Sequence, residues 1–343
     1  MDRREGRRTL PGDGWSVEHD SPRRRYSHRT AALVLLVLML AVAVVYSPRR
    51  CSAASLPIQQ EGEDSYYAKA YTILDLPLPE LLADIPELQG MEPAAGQEEL
   101  PAILSKAGAS VEQLYRNLVS VAADEEITQE QCGYDGRVKS SQRLRFGYLI
   151  LVNHDGPAET LQEYRTDAGM KPVESAGVEE GFNATSNFAS LWLLFYPDNR
   201  FGSNFRYLGQ EVSEGRNLYV VAFAERPGKA ATEGRVIAQG RSAVLLYQGL
   251  AWIDASSFRI VRMRLDLLEP RLDVGLERTT TELRFGEVRV PQATAVLWLP
   301  EEVTVTTIYY GQLYRNRHIY SNFRLFVVHS TIKPAAPRET HPQ

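Results

Sequence analysis

Apolar and polar residues alternate strictly along the stretch Ser242–Leu268. A period of two is typical of a β-strand with one buried face and one wet face. Residues 254–257, Asp-Ala-Ser-Ser, have turn chemistry, so the stretch is predicted to form one long β-hairpin ending near Trp252. The return arm is predicted to carry Val261, Met263 and Leu265 on its apolar face and Arg262, Arg264 and Asp266 on its wet face.

The same alternation recurs through most of the chain after residue 126. Further strands are predicted at 127–132, 144–153, 161–166, 205–212, 217–225, 276–288, 302–310 and 313–328. Short turn segments separate these strands, as in a single antiparallel sheet or open barrel. No strand–helix–strand rhythm is present, which excludes a doubly wound α/β fold.

Helical patterns are confined to the region before the strands. Segments 78–88 and 98–106 are predicted as short helices with a proline in the first turn, the second ending near Gly108. Ser110 and Gln113 form a capping-box pattern, from which an amphipathic helix is predicted to run to Ala122. Its apolar stripe should cover one face of the sheet.

The segment 181–205 is unusually rich in aromatic residues and leucine for a connection between strands. A helix over 187–196 would be apolar on nearly every side, so this segment is predicted to be buried in the concavity of a curved sheet. Two interpretations stay open: an ordinary core helix, and a movable plug over a lipid-binding groove.

The N-terminal region has the pattern of an export segment. Residues 1–30 hold eight Arg and no Lys, and the following run Ala31–Tyr46 contains no charged residue. Its sixteen residues would span about 24 Å, slightly less than the ~30 Å hydrocarbon core of a bilayer. Residues 31–47 are therefore predicted to be a transmembrane anchor or the apolar region of a cleaved signal peptide. Arg49 and Arg50 favour the anchor.

The distribution of charge sets the predicted topology. Arginines cluster before the apolar run, so 1–30 is predicted to be a cytoplasmic leader and 48–343 to lie in the periplasm. If the signal is cleaved, the chain is instead secreted to the periplasm. Residues 48–109 are predicted to be a Pro-rich linker, and residues 330–343 a disordered tail. After residue 54, acidic residues outnumber basic ones, which argues against a nucleic-acid partner.

The sequence contains no recognisable catalytic or metal-binding motif. It lacks a nucleophile elbow, a P-loop and an H-E-x-x-H pattern, so no enzyme activity, metal or cofactor is predicted. His318 is predicted to lie on the wet face of a strand. The two cysteines, Cys51 and Cys132, leave a disulfide outside the cytoplasm open.

Three short motifs near the C-terminus resemble the LolA/LolB-like superfamily of periplasmic lipoprotein-sorting proteins. They are Trp252 with Asp254, Leu299-Pro300 with Val303, and His318 with Tyr320, Phe323 and Phe326. The resemblance implies that residues 110–329 form a mainly β (α+β) domain: a curved antiparallel sheet, or open half-barrel, of about ten strands with helices packed on its concave side. It also implies binding of a lipid or lipoprotein acyl chain.

The predicted function is that of an exported, membrane-anchored envelope protein that binds such an acyl chain in its open barrel. The alternative is a non-enzymatic periplasmic scaffold or envelope-stress sensor that binds a protein partner. The residues predicted to line the apolar groove are Phe188, Trp192, Phe195, Tyr196, Trp252, Val261, Met263 and Leu265.

Overall fold

The structure is a computed structural model. It describes residues 66–154, 160–169, 171–173, 188–230, 234–238, 241–291, 293 and 295–326. The predicted leader, apolar run and C-terminal tail, together with Cys51, lie outside the described residues. Within the described residues, no helix is both long and apolar enough to cross a membrane.

The described residues form a twelve-stranded antiparallel sheet and a separate two-stranded one. The strands are β1 (Glu92–Pro93), β2 (Val121–Cys132), β3 (Val138–Asn153), β4 (Thr160–Thr166), β5 (Pro172–Val173), β6 (Ser203–Ser213), β7 (Arg216–Glu225), β8 (Gly234–Ala238), β9 (Arg241–Leu245), β10 (Tyr247–Asp254), β11 (Ile260–Leu267), β12 (Leu276–Val288), β13 (Leu297–Tyr309) and β14 (Gln312–Leu325). In the large sheet the order is β1-β6-β7-β10-β11-β12-β13-β14-β2-β3-β4-β5. The predicted mainly β fold is confirmed.

The large sheet is curved and does not close. Strands β4 and β6 lie nine strand positions apart in its order, which would be about 43 Å in a flat sheet. Yet the short segment from Ala189 to Phe195 contacts both: Ala189 bonds Glu163 of β4, and Phe195 packs on Phe205 of β6. These seven residues, mostly in a 3₁₀ helix, span only about 14 Å. The sheet must therefore bend around this segment, as an open half-barrel does.

One long helix, α2 (Leu100–Asn117), packs inside this curve. The sequence predicted two helices separated at Gly108, and that prediction is wrong. Gly108 lies within the helix, where a Cβ atom would come to 3.2 Å from the carbonyl oxygen of Phe195. Because Gly108 has no side chain, α2 can approach the backbone of Phe195 closely. The helix also ends earlier than predicted, because Val121 and Ala122 already belong to β2.

The N-terminal segment 66–95 covers the outer, convex face of β6, β7, β10 and β11. It contains α1 (Leu78–Asp84) and a 3₁₀ helix at Pro86–Leu88, close to the predicted short helix. Leu81 and Leu88 are fully buried against this face. This part of the predicted linker therefore packs on its own sheet instead of extending away from it.

The same covering segment corrects the prediction that Arg264 lies on a wet face. Its guanidinium is buried, with Nη1 2.7 Å from Glu87 of the segment and Nε 2.8 Å from Asp266. Burial lowers the pKa of Arg264, but its hydrogen bonds to Asp266 and the nearby Glu87 carboxylate outweigh this and raise the pKa overall. The arginine thus ties the segment to the sheet.

The stretch Ser242–Leu268 forms the predicted hairpin only in part. Strands β10 and β11 pair around the turn, where Asp254 Oδ1 accepts the backbone N–H groups of Ser256 and Ser257 at 3.0 and 2.7 Å. The first arm is interrupted after Leu245, and β9 pairs with β8 in the small sheet. Alternation alone does not distinguish one long strand from two short strands with different partners.

Candidate functional site

The concave face of the sheet encloses the main hydrophobic core, here called the lumen. Residues 188–196, called the plug, lie across it without pairing to any strand, with a 3₁₀ helix at Leu191–Phe195. The plug buries four large apolar side chains in the lumen: Phe188, Trp192, Leu194 and Phe195. The prediction that this part of the segment is buried inside the curve is confirmed. Residues 181–187 lie outside the described residues.

Most of the predicted groove residues meet at this site. Buried Met263 and Leu265 share the lumen core with Phe188, Trp192 and Phe195, and half-buried Tyr196 packs against that core. Val261 is half-buried beside a bulge in β10–β11 and contacts the cores on both faces of the sheet. The lumen in this conformation is filled by the protein's own side chains.

Trp252 does not join this group, which corrects its predicted place in the lining of the groove. In the observed register, Ala251 pairs with Met263, and Trp252 pairs with Arg262. Paired residues of an antiparallel sheet share a face, so Trp252 points to the convex side. There it is fully buried beneath the N-terminal segment, with the Arg262 guanidinium 4.2 Å from its ring centroid.

A buried carboxylate fixes the start of the plug. Glu163 of β4 accepts the backbone N–H groups of Ala189 at 3.3 Å and Ser190 at 3.1 Å. It also accepts a hydrogen bond from the hydroxyl of Tyr148. Burial raises the pKa of Glu163 above its ordinary value, although these donors act in the opposite direction. Glu163 therefore supplies acceptors that the plug backbone would otherwise find in water.

A second buried carboxylate organises the polar end of the lumen. Glu125 of β2 accepts two hydrogen bonds from Arg165, at 2.5 and 2.8 Å, one from His318 Nδ1 at 2.9 Å, and one from Tyr320 at 3.1 Å. Burial alone would raise the pKa of Glu125, but the hydrogen bonds from His318 and Arg165 lower it to about 2. The carboxylate is therefore ionised and paired inside the core.

His318 is buried, with 1% of its surface exposed, so its predicted place on the wet face is wrong. Burial lowers the pKa of His318 despite the opposing hydrogen bond to Glu125. The neutral imidazole then donates from Nδ1 and leaves Nε2 as an acceptor. Among the described residues Nε2 has no partner, and Phe188 of the plug packs edge-on against the ring at 5.1 Å between centroids.

The polar cluster thus forms a floor beneath the plug. A carboxylate that orients an imidazole is also the arrangement of a general base. In this conformation, however, the plug covers the imidazole and blocks a substrate's approach. Within the described part of the chain, no group of three or more His, Cys, Asp or Glu residues could hold a metal ion.

Sequence reasoning missed Glu125, Glu163 and Arg165. For Glu125 a signal existed: apolar Val121, Ala123 and Ile127 are spaced in twos or multiples of two, and Glu125 has the same parity. The predicted strand began only at Ile127, so this parity was not applied. No local pattern distinguishes Glu163 or Arg165 from ordinary exposed strand residues, because their partners lie 15 to 40 residues away.

No protein-family model matches the chain, and no curated protein is similar to it in sequence. Among solved structures, the chain is similar to a domain named for outer membrane lipoprotein sorting from Vibrio parahaemolyticus (12% identity, TM-score 0.35, covering 65% of this chain and 93% of that one). It is also similar to a DUF1329 family protein from Desulfovibrio piger (13%, 0.34, 67% and 94%) and a LolA superfamily protein from Nitrosomonas europaea (12%, 0.31, 66% and 94%). At these identities and TM-scores the likeness carries no functional argument.

Proposed function

We propose that this protein binds the acyl chain of a lipid or lipoprotein in its lumen, in exchange for the plug. The observation that carries the proposal is that a short apolar segment without strand pairing lies beside α2 on the concave side of the half-barrel, where no second sheet covers it among the described residues. A segment without ladder hydrogen bonds can leave the sheet without breaking it. Glu163 anchors the plug locally, and its hydrogen bonds to the plug backbone would break when the plug leaves.

The energies of such an exchange are of similar size. Exposing the four buried plug side chains would cost roughly 6–12 kcal/mol, at about 1.5–3 kcal/mol each. An acyl chain of sixteen carbons contributes about 12 kcal/mol, at about 0.8 kcal/mol per CH₂. A chain of eight carbons contributes only about half as much. A long chain therefore offsets the whole range of this cost, whereas a short chain offsets at most its lower end.

The corresponding test is binding of saturated fatty acids of eight, twelve and sixteen carbons to the full chain. Affinity should rise about fourfold for each added CH₂, with no measurable binding of the shortest acid. Native mass spectrometry of protein purified from its host should show bound lipid. Equal affinity for all three acids, or a lipid-free protein that binds none of them, would contradict the proposal.

Export and membrane anchoring through residues 31–47 are part of the same proposal. They are supported by the apolar run and by the arginines that precede it. In cells whose outer membrane has been removed, added protease should digest the domain carried by residues 66–326 while cytoplasmic proteins stay intact. Alkaline extraction should leave the chain in the membrane fraction if the apolar run is an anchor, and release it if the run is cleaved.

The alternative of a scaffold that adds a partner strand to the sheet has less support. The two edge strands, β1 and β5, are two residues long and each contains a proline. These two strands offer few free backbone groups to an added strand, although each pairs with only two residues of the longer strand beside it, β6 or β4.

A further inference from the structure

A cavity of about 380 Å³ opens between α2 and the turn that joins β10 to β11. This cavity, called the portal, is lined among others by Lys106, Ser110, Gln113, Leu114, Phe258 and Arg259. The four helical residues recur at helical spacing on one face of α2, beside the stripe that packs into the lumen. The portal is large enough for a lipid head group, but too small for a complete lipid.

The charge of the portal differs from that of the rest of the chain. After residue 54 the chain has ten more acidic than basic residues, yet none of the described residues that line the portal is acidic. Two of them, Lys106 and Arg259, are cations. The portal lining therefore carries two cations and no carboxylate in an otherwise acidic domain, which favours an anionic ligand.

The two cations differ in whether they already have an ionic partner. Arg259 is already paired, because its Nη1 lies 3.1 Å from Glu287 and its guanidinium lies 5.1 Å from the ring centroid of Trp298. Lys106 is exposed, and its Nζ lies 4.7 Å from the ring centroid of Phe258. Among the ion pairs between described residues, none involves Lys106. Its charge is thus free to meet a ligand.

An unusual backbone conformation holds this arrangement. Phe258 has a φ of 55°, in the left-handed region that bulky residues rarely occupy. The turn stabilises it, since the Phe258 N–H donates to the Asp254 carbonyl at 2.8 Å. In this position the ring stacks on Tyr219 and supports the Lys106 ammonium. Such outliers cluster at ligand-binding sites.

The portal borders the lumen core. Leu114 and Phe258 line the portal and also pack against the lumen core. An amphiphile with its acyl chain in the lumen could therefore present its head group between Lys106 and Arg259. We propose that the portal binds the anionic head group, a phosphate or carboxylate, of the amphiphile whose chain enters the lumen. This inference rests on the proposed function and adds the class of lipid that is selected.

The test compares two single-chain lipids with the same acyl chain and different head groups: palmitoyl lysophosphatidylglycerol, which is anionic, and palmitoyl lysophosphatidylcholine, which is zwitterionic. Each displaces a fluorescent sixteen-carbon fatty acid from the full chain at low salt. The anionic lipid should bind about tenfold more tightly, and this preference should shrink as salt is added. Lys106→Gln should remove most of the preference, and Lys106→Arg should keep it.

Lys139→Gln is the matched control. It removes the same charge from an exposed site next to the β2–β3 turn, at the opposite end of the sheet from the portal. It should leave the preference unchanged. Lys106 is exposed, so Lys106→Gln should fold normally, and an unchanged melting temperature checks this.

Three outcomes would overturn the inference. Equal binding of both lipids, or a Lys106→Gln variant that keeps its preference, would refute head-group binding at the portal but would leave the proposal of acyl-chain binding in place. Competition by glycerol 3-phosphate alone, as strong as by the anionic lipid, would mean that the portal takes a small free anion. Failure of both lipids to bind would refute the proposed function, and with it the inference.

Discussion

Replacing Trp192 by alanine should make the protein less stable and, at the same time, a better binder of long acyl chains. Trp192 is 1% exposed and lies in the lumen as part of the plug. A buried Trp-to-Ala change costs about 3–5 kcal/mol of folding free energy. Its indole N–H has no partner among the described residues, so no hydrogen bond is lost, and the cost should lie near the lower end of that range.

The gain in binding follows from the exchange mechanism. A ligand that enters the lumen of the Trp192→Ala variant no longer has to displace the indole. It is spared at least about 1.5–3 kcal/mol, which corresponds to roughly 10- to 150-fold tighter binding. Urea unfolding measures the loss of stability, and titration with a fluorescent sixteen-carbon fatty acid measures the affinity.

Trp252→Ala provides a matched control on the other face of the same sheet. Trp252 is also fully buried, and its indole N–H also lacks a partner among the described residues. Its loss of stability should be similar, but its cavity forms beneath the N-terminal segment, away from the lumen. Affinity should then stay at the wild-type value. If both variants bind the fatty acid equally well, the gain comes from general loosening, and the exchange mechanism is refuted.

Three further predictions concern the polar floor of the lumen. Glu125→Gln should lower the free energy of unfolding in urea by about 3–5 kcal/mol, because it leaves the buried Arg165 charge uncompensated. The control Glu130→Gln, in an exposed ion pair with Arg315, should lower it by less than about 1 kcal/mol. Equal losses in the two variants would contradict this reasoning. The pKa of Glu125 is lowered to about 2 in the folded state, so its stabilisation of about 3 kcal/mol is present above about pH 4.5 and lost as the pH falls towards 2. Glu125→Gln should lack this loss, and a pH series of unfolding curves checks it. Glu163→Leu removes the acceptor of two plug N–H groups and should speed hydrogen exchange at residues 189 and 190 but not in β2; unchanged protection there would count against the anchor.

The secondary structure could be predicted largely from the sequence, because it depends on local patterns. Alternation located the strand at 276–288, which is the observed range of β12. The Asp254 turn was predicted from residue types that bond their own neighbours in the chain. Local patterns failed at Gly108, since a glycine within a helix is indistinguishable in sequence from one that ends it. What decides the matter is the close approach of Phe195.

The candidate site could be predicted only in its apolar half. The density of aromatic residues in 181–205 is visible in the sequence, and it correctly indicated that this segment's described part is buried. The polar half depends on contacts across the fold, since Glu125 and His318 are 193 residues apart in sequence. The local sequence around a single strand residue does not indicate which distant residue it will contact.

The sequence by itself therefore determined the strands, their turns and the presence of a buried aromatic segment. Each of these follows from side-chain periodicity or from hydrogen bonds within a few residues. Only the tertiary structure decided which face each strand turns to the lumen, and Trp252 is the example. Its face depends on the register with β11 and on a cover supplied by residues 66–95. A strand that is buried on both faces can show the same alternation of apolar and polar residues as a strand buried on one face. Arg264 is an example, because its side chain is polar at the tip and is still buried on the convex face.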